Sequence, residues 1–318
     1  MYVIQVSGKI ENMDNKSFLK PSDILTGKEK LKFYSADSKA VVMSKEKGRM
    51  VIQNQKAKAS SDKQSEFIAM LVDALIPMPT NHQLSSRNLM ATNVVSNFTD
   101  FFGKEKYVFI GDRIIIPLDP SKYPLSDEKV IVYRYMIGEK PVQKILKHYD
   151  NNVIFDKKQI YLHDNEAIPL DKTSKEVHLY YVNKKTKATT ELVSFEPVYL
   201  NENDLYNELN ALITYLKTIE SKSEEDMKPI ILEFVQTAHG KVNAKILEQW
   251  LYAKKLLQKS QSTDKSSEEE EVITQDPSEN VEAPNYTEEE LIQPVKEEAE
   301  EENNEKIGEA ISEDGDGK

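Results

Sequence analysis

Between Tyr107 and Met136 the chain carries apolar stretches that leave little choice of local structure. Tyr107-Val108-Phe109-Ile110 passes through Gly111-Asp112 into Arg113-Ile114-Ile115-Ile116, and Val130-Ile131-Val132-Tyr133-Arg134-Tyr135-Met136 follows after a polar connection. Each run is short, rich in β-branched and aromatic residues, and bounded by Gly, Pro or Asp, which is the pattern of strands. Both faces of each run are largely apolar, so the reading makes them central strands with something packed on each side.

More strands follow on the same criteria. Val153-Ile154-Phe155 and Ile160-Tyr161-Leu162 are candidates. Val177 to Val182 turns through Asn183 to Lys187 into Thr190 to Phe195 as a long hairpin. Gly138-Glu139-Lys140 reads as another hairpin turn, whereas Val142, Ile145 and Leu146 suggest a short helix over Pro141 to His148. About six or seven strands fall between residues 104 and 200, joined by short turns, so antiparallel pairing should dominate.

Upstream, residues 1–54 read as a small β unit in which Lys45-Glu46-Lys47-Gly48 turns a hairpin. Residues 55–63 are small and polar, a linker. Ser61-Asp62-Lys63-Gln64 is a capping box, and Phe67, Met70, Leu71 and Ala74 then share one helical face as far as Pro77. A second helical or mixed stretch covers Ser86 to Phe102, with Leu89, Val94, Val95 and Phe98 as core candidates.

From Asn203 the period changes. Leu205, Leu209, Leu212, Leu216 and Ile219 lie on one helical stripe. A second helix should start near Asp226, with Pro229 in its first turn, and stop at Gly240. Asn243 can cap a third, carrying Ile246, Leu247, Trp250, Leu251 and Leu257. The expected fold is α+β: a small N-terminal β unit (1–54), a mainly antiparallel central domain with flanking helices (64–200), a helical hairpin or three-helix segment (201–260) and an acidic tail (261–318).

Charge separates the tail from the rest. The chain carries a net charge of −12, but Gln261 to Lys318 alone holds 21 acidic and 4 basic residues, a net of −17. Residues 1–63 hold 13 basic and 7 acidic residues. A tail so acidic and poor in apolar residues cannot offset roughly 1–2 kcal/mol of backbone entropy per residue, so the reading makes it disordered. It contains one apolar patch, Tyr286, Leu291, Ile292 and Val295 after a Thr-x-x-Glu cap, which is a candidate partner-docking motif.

Chemistry leaves few marks. There is no cysteine, hence no thiol nucleophile, disulfide framework or Cys-based metal site. His82, His148, His163, His178 and His239 show no metal-ligand spacing. Phosphate-loop, dinucleotide and nucleophile-elbow motifs are missing. The reading assigns no catalytic residue, no metal and no cofactor. The start Met1-Tyr2-Val3-Ile4 reads as a first strand, and no run reaches the roughly 18 apolar residues of a membrane span. Heavy use of Lys, Asn and Ile suggests an AT-rich bacterial genome, and the expected location is the cytoplasm.

Two functions remain in view beside an enzyme with an unrecognised site. One is a non-catalytic interaction protein, an adaptor or accessory subunit with protein partners. The other is a nucleic-acid-binding protein whose N-terminal unit contacts phosphates through Lys45, Lys47, Arg49, Lys56 and Lys58, with Phe33 and Tyr34 nearby. The tail would compete with anionic ligands for that patch.

Overall fold

Short apolar runs bounded by turn residues make the N-terminal residues strands. A computed structural model describes residues 1–54, 67–77, 94–163 and 165–258. Strands β1 (Tyr2–Ser7), β2 (Ile10–Asn12), β3 (Ser17–Phe18), β4 (Lys30–Phe33), β5 (Lys39–Ser44) and β6 (Gly48–Gln53) come first. Then follow β7 (Phe67–Met70), the short helix α1 (Leu71–Ala74) and β8 (Leu75–Pro77). They build two four-stranded sheets, ordered β1-β5-β6-β8 and β3-β2-β4-β7. Val3, Val42 and Ile52 of the first share a fully buried core with Ile10, Leu31 and Phe33 of the second.

The helix expected over Phe67 to Ala74 is therefore corrected. A two-turn helix standing alone is marginal in water. Here its residues find backbone partners instead, with β7 antiparallel to β4 and β8 antiparallel to β6. Leu71 and Ala74, in the turn of helix between them, still enter the core. Residues 67–77 thus complete the N-terminal sheets although the sequence reading placed them in the central domain.

The central region begins with α2 (Phe98–Phe102) and β9 (Lys106–Ile110), β10 (Arg113–Pro117), β11 (Lys129–Ile137), β12 (Lys140–Ile145), β13 (His148–Tyr149) and β14 (Asn152–Asp156). It continues with α3 (Lys157–Ile160), β15 (Leu162–His163), β16 (Glu166–Ala167), β17 (Val177–Asn183) and β18 (Ala188–Leu200). The sheets are β12-β11-β17-β18-β9, β10-β14-β13 and the pair β15-β16. Pairing is antiparallel except between β18 and β9. Phe102 stacks on Phe195 at 4.6 Å, and Tyr107, Phe109 and Phe155 close around them. Deeper in, the hydroxyls of Tyr133 and Tyr161 meet at 2.8 Å. Burial raises both phenols' pKa, and also that of Tyr199, whose hydroxyl approaches the pair without closing a normal hydrogen bond.

Several local expectations change here. Lys140–Ile145 is a strand, because Gly138 (φ +59°) opens a two-residue hairpin loop that pairs Ile137 with Lys140. Ile160 ends helix α3, capped by Asp156, and is not in a strand. Of the stretch from Ser86, the helix within the described residues is only Phe98–Phe102, and Val95 makes a parallel bridge to Leu118. The central region holds more strands than the sequence suggested, since two-residue strands carry no periodic signal.

Three helices follow, α4 (Glu202–Thr218), α5 (Glu224–Ala238) and α6 (Ala244–Ala253). Asn201, Ser223 and Asn243 cap them through their side-chain oxygens. Each cap contributes about 1 kcal/mol. Truncating one buried leucine costs about 2–5 kcal/mol, so packing of the Leu205, Leu209, Leu212 and Leu216 stripe outweighs the caps. Helix α5 starts two residues earlier than read, because Ser223 and the acidic first turn favour that end, which leaves Pro229 inside the helix. The helices share one core with Ile4, Val41 and Met43 of the N-terminal sheet and with Val108 and Ile110 of β9. No described helix is long and apolar enough to cross a membrane. The tail and the linker with Ser61 to Gln64 lie outside the described residues.

Gly240 (φ +129°) ends α5 where a Cβ would sit 2.7 Å from Lys106 Cβ and 2.9 Å from its carbonyl oxygen. Gly48 (φ +66°) has open space around it. Gly240→Ala should therefore cost about 2–3 kcal/mol, and Gly48→Ala only about 1 kcal/mol. Urea unfolding measures both, and equal losses would show that contact with Lys106 is not what demands the glycine.

Candidate functional site

A concave feature lies where the N-terminal sheet meets α4 and α5. It is a cleft of about 590 Å³, walled by β1, β5 and β6 on one side and by the end of β18, the start of α4 and the end of α5 on the other. A bulge between Val3 and Gln5 turns Gln5 towards this joint, and strand alternation on β6 sends Arg49 there. Arg49 sits opposite Met43 in the β5–β6 hairpin, and its Nη2 reaches Glu233 of α5 at 3.3 Å. The two side chains are only 7% and 14% exposed.

His239 terminates α5, its backbone N–H bonded to the carbonyl of Val235. Its ring crosses to α4, with Nε2 2.9 Å from Glu208 Oε2, and the Gln5 amide also approaches Nε2 at 3.3 Å. A ring nitrogen carries at most one hydrogen, so donation to Glu208 leaves it nothing with which to accept from an amide N–H. The contact closes when the Gln5 amide presents its oxygen to the ring, an orientation set by the network. The cleft thus gathers a carboxylate-oriented imidazole, a held guanidinium, and amide and hydroxyl groups from Asn207 and Thr237. Arg49 reaches Glu233 and His239 reaches Glu208 across the joint.

A second groove of about 570 Å³ adjoins it and shares Thr237, Ala238 and His239. Three lysines line it. Lys106 lies 4.0 Å from Glu196, and Lys241 donates to the backbone carbonyl of Asp100. Burial holds the Lys241 ammonium below its ordinary pKa.

The residues singled out from the sequence separate widely. Lys45 and Lys47 are exposed at the β5–β6 tip, but Arg49 is turned inward onto Glu233. Phe33 is fully buried. Lys56 and Lys58 lie outside the described residues, as do His82 and the segment with Tyr286, Leu291, Ile292 and Val295. His178 stacks on Tyr180 and meets Glu191 at 2.8 Å. His148 and His163 are half-buried in β13 and β15. Among the described residues no three His, Asp or Glu side chains gather as a metal site. The Gln5–His239–Glu208 contact escaped the sequence because its members come from three distant elements.

Two sheet faces are also open. In β10-β14-β13, Ile114, Ile116, Val153 and Phe155 point into the aromatic core. Register places Ile115 opposite Ile154, and Asn152 opposite both Pro117 and Tyr149 on the outward face. Ile115 and Tyr149 are 42% and 48% exposed there. The other open face, on β3-β2-β4-β7, carries Phe18 and Tyr34, ring centroids 5.6 Å apart.

No family model, curated protein or solved structure matches the chain.

Arg49→Ala should cost about 3 kcal/mol, since it takes the guanidinium away from a nearly buried carboxylate. Arg49→Met combined with Glu233→Leu should recover most of that in urea unfolding. A double variant as unstable as the sum of its singles would show that the pair is not what couples β6 to α5.

Proposed function

We propose that the protein is a non-catalytic interaction protein, an adaptor or accessory subunit of a bacterial multi-protein assembly working in the cytoplasm. One observation carries the reading: on the outward face of β10-β14-β13 Ile115 opposes Ile154, Pro117 follows two residues along β10, and Tyr149 stands across Asn152 from it, with Ile115 and Tyr149 exposed to solvent. A lone exposed isoleucine needs no explanation, but several apolar side chains on one outward sheet face are a usual mark of a protein contact. Tyr149 adds the kind of side chain that anchors interfaces. The cleft supports the same reading, because its Arg49 and His239 are engaged in holding the N-terminal sheet to α4 and α5. The apolar patch of the acidic tail supplies a second candidate contact with partners.

The test is affinity purification of the full chain from its native cells, with quantitative mass spectrometry. The expected result is a defined partner set that Ile115→Glu with Tyr149→Ala removes, while the melting temperature stays within a few degrees of the parent's. Replacing Tyr286, Leu291, Ile292 and Val295 by serine should remove a different subset. An unchanged partner set in the sheet-face variant would sink the reading of that face.

A further inference from the structure

The outward face of β3-β2-β4-β7 has a different chemistry from the cluster around Ile115. Ile10, Leu31 and Phe33 point inward, so alternation sends Lys9, Glu11 and Met13 outward from the β2 line and Lys30, Lys32 and Tyr34 outward from the β4 line. Backbone bonds from Tyr34 N to Lys9 O and from Met13 N to Lys30 O extend that register at both ends. Phe18 of β3 stands opposite Glu11 and is 52% exposed.

The aromatic pair is fixed. The Tyr34 hydroxyl donates to Glu11 at 2.6 Å, Lys32 Nζ sits 4.5 Å from the Tyr34 ring centroid, and Phe18 leans on the same ring. Glu11, the one carboxylate among the described residues of this register, is therefore engaged by a phenol. Lys16 and Lys20 lie exposed on either side of the short β3 strand. Nearby Glu29 is buried, its carboxylate taken by Thr26 and by the N–H of Gly27. Among the described residues of these strands the face thus presents an excess of ammonium groups around two flat rings.

We propose that this face binds single-stranded nucleic acid, with bases stacking on Phe18 and Tyr34 and phosphates meeting Lys9, Lys30 and Lys32. An acidic peptide would use the lysines alone and leave an exposed phenylalanine unexplained. Bases within a duplex are already stacked on one another, whereas unpaired bases can pack on aromatic side chains. This site goes beyond the adaptor reading and uses none of the residues on which that reading rests.

The experiment is fluorescence anisotropy of the full chain with a labelled oligothymidylate of roughly ten nucleotides at about 50 mM salt. Saturable binding is expected, falling with salt at a log–log slope of about −2 for three phosphate contacts. Phe18→Ala should weaken it roughly ten-fold or more, and Phe18→Tyr should restore it. Lys30→Glu with Lys32→Glu should abolish it, with circular dichroism confirming each fold. Absence of binding at low salt would overturn the proposal. So would unchanged affinity in Phe18→Ala, equal affinity for duplex, or equal competition by an acidic peptide of the same charge. The Ile115→Glu, Tyr149→Ala variant should bind the oligonucleotide normally, so that failure of either reading is told apart from failure of the other.

Discussion

Strand β9 is bonded along both edges and buried on both faces, and the other parts of the described fold are built around that fact. On one edge it runs parallel to β18, from Lys106 opposite Glu196 to Ile110 opposite Leu200. On the other, Lys241 N–H donates to the carbonyl of Lys106, and Val108 N–H donates to that of Lys241. Val108 and Ile110 face the helical core, and Tyr107 and Phe109 face the aromatic one. One strand of five residues therefore joins two hydrophobic cores. The turn after α5 must pass close beside it, which is why Gly240 stands there.

The N-terminal sheets attach to this frame by a joint of mixed character. Ile4, Val41 and Met43 enter the helical core and supply the attraction, at about 25 cal/mol for each Å² of apolar surface removed from water. Arg49 with Glu233, and Gln5 with His239 and Glu208, lie beside them. A nearly buried ion pair recovers little more than its own desolvation cost, so it adds small net stability. It does penalise other dockings, because any shift of β6 along α5 would leave a charge unmatched. The apolar residues hold the joint and the polar ones set its register.

Legibility in the sequence followed the length of the periodic signal. The helices were readable because Leu205, Leu209, Leu212 and Leu216 repeat over about three turns and Asn243 sits where a cap belongs. The β17–β18 hairpin was readable from alternation on both sides of a polar tip. Phe67 to Ala74 and Pro141 to His148 were not, since eight residues with apolar groups three and four apart suit a helix or a strand equally. Strand pairing decided them: β4 and β6, more distant in sequence, for the first, and β11, the neighbouring arm of its hairpin, for the second. The surfaces were harder still. Lys45, Lys47 and Arg49 look alike on paper, yet alternation on β6 turns Arg49 inward. Phe33 and Tyr34 are neighbours that face opposite ways, so the ring available to a ligand is Tyr34, and Phe18 joins it only through the pairing of β3 with β2.

That pairing also weighs the ordinary explanation of lysines on small sheets, protection of an exposed edge against pairing with other chains. Lys45 and Lys47 fit it, because they crown an exposed hairpin tip. Lys30 and Lys32 do not fit it. They stand on β4, which is hydrogen-bonded to β2 on one side and β7 on the other and has no edge to protect. Lys9 continues β2, likewise flanked by β3 and β4. A cation on an inner strand guards no backbone, so its place is set by what meets the face. On that face the rings of Phe18 and Tyr34 are what the ammonium groups surround.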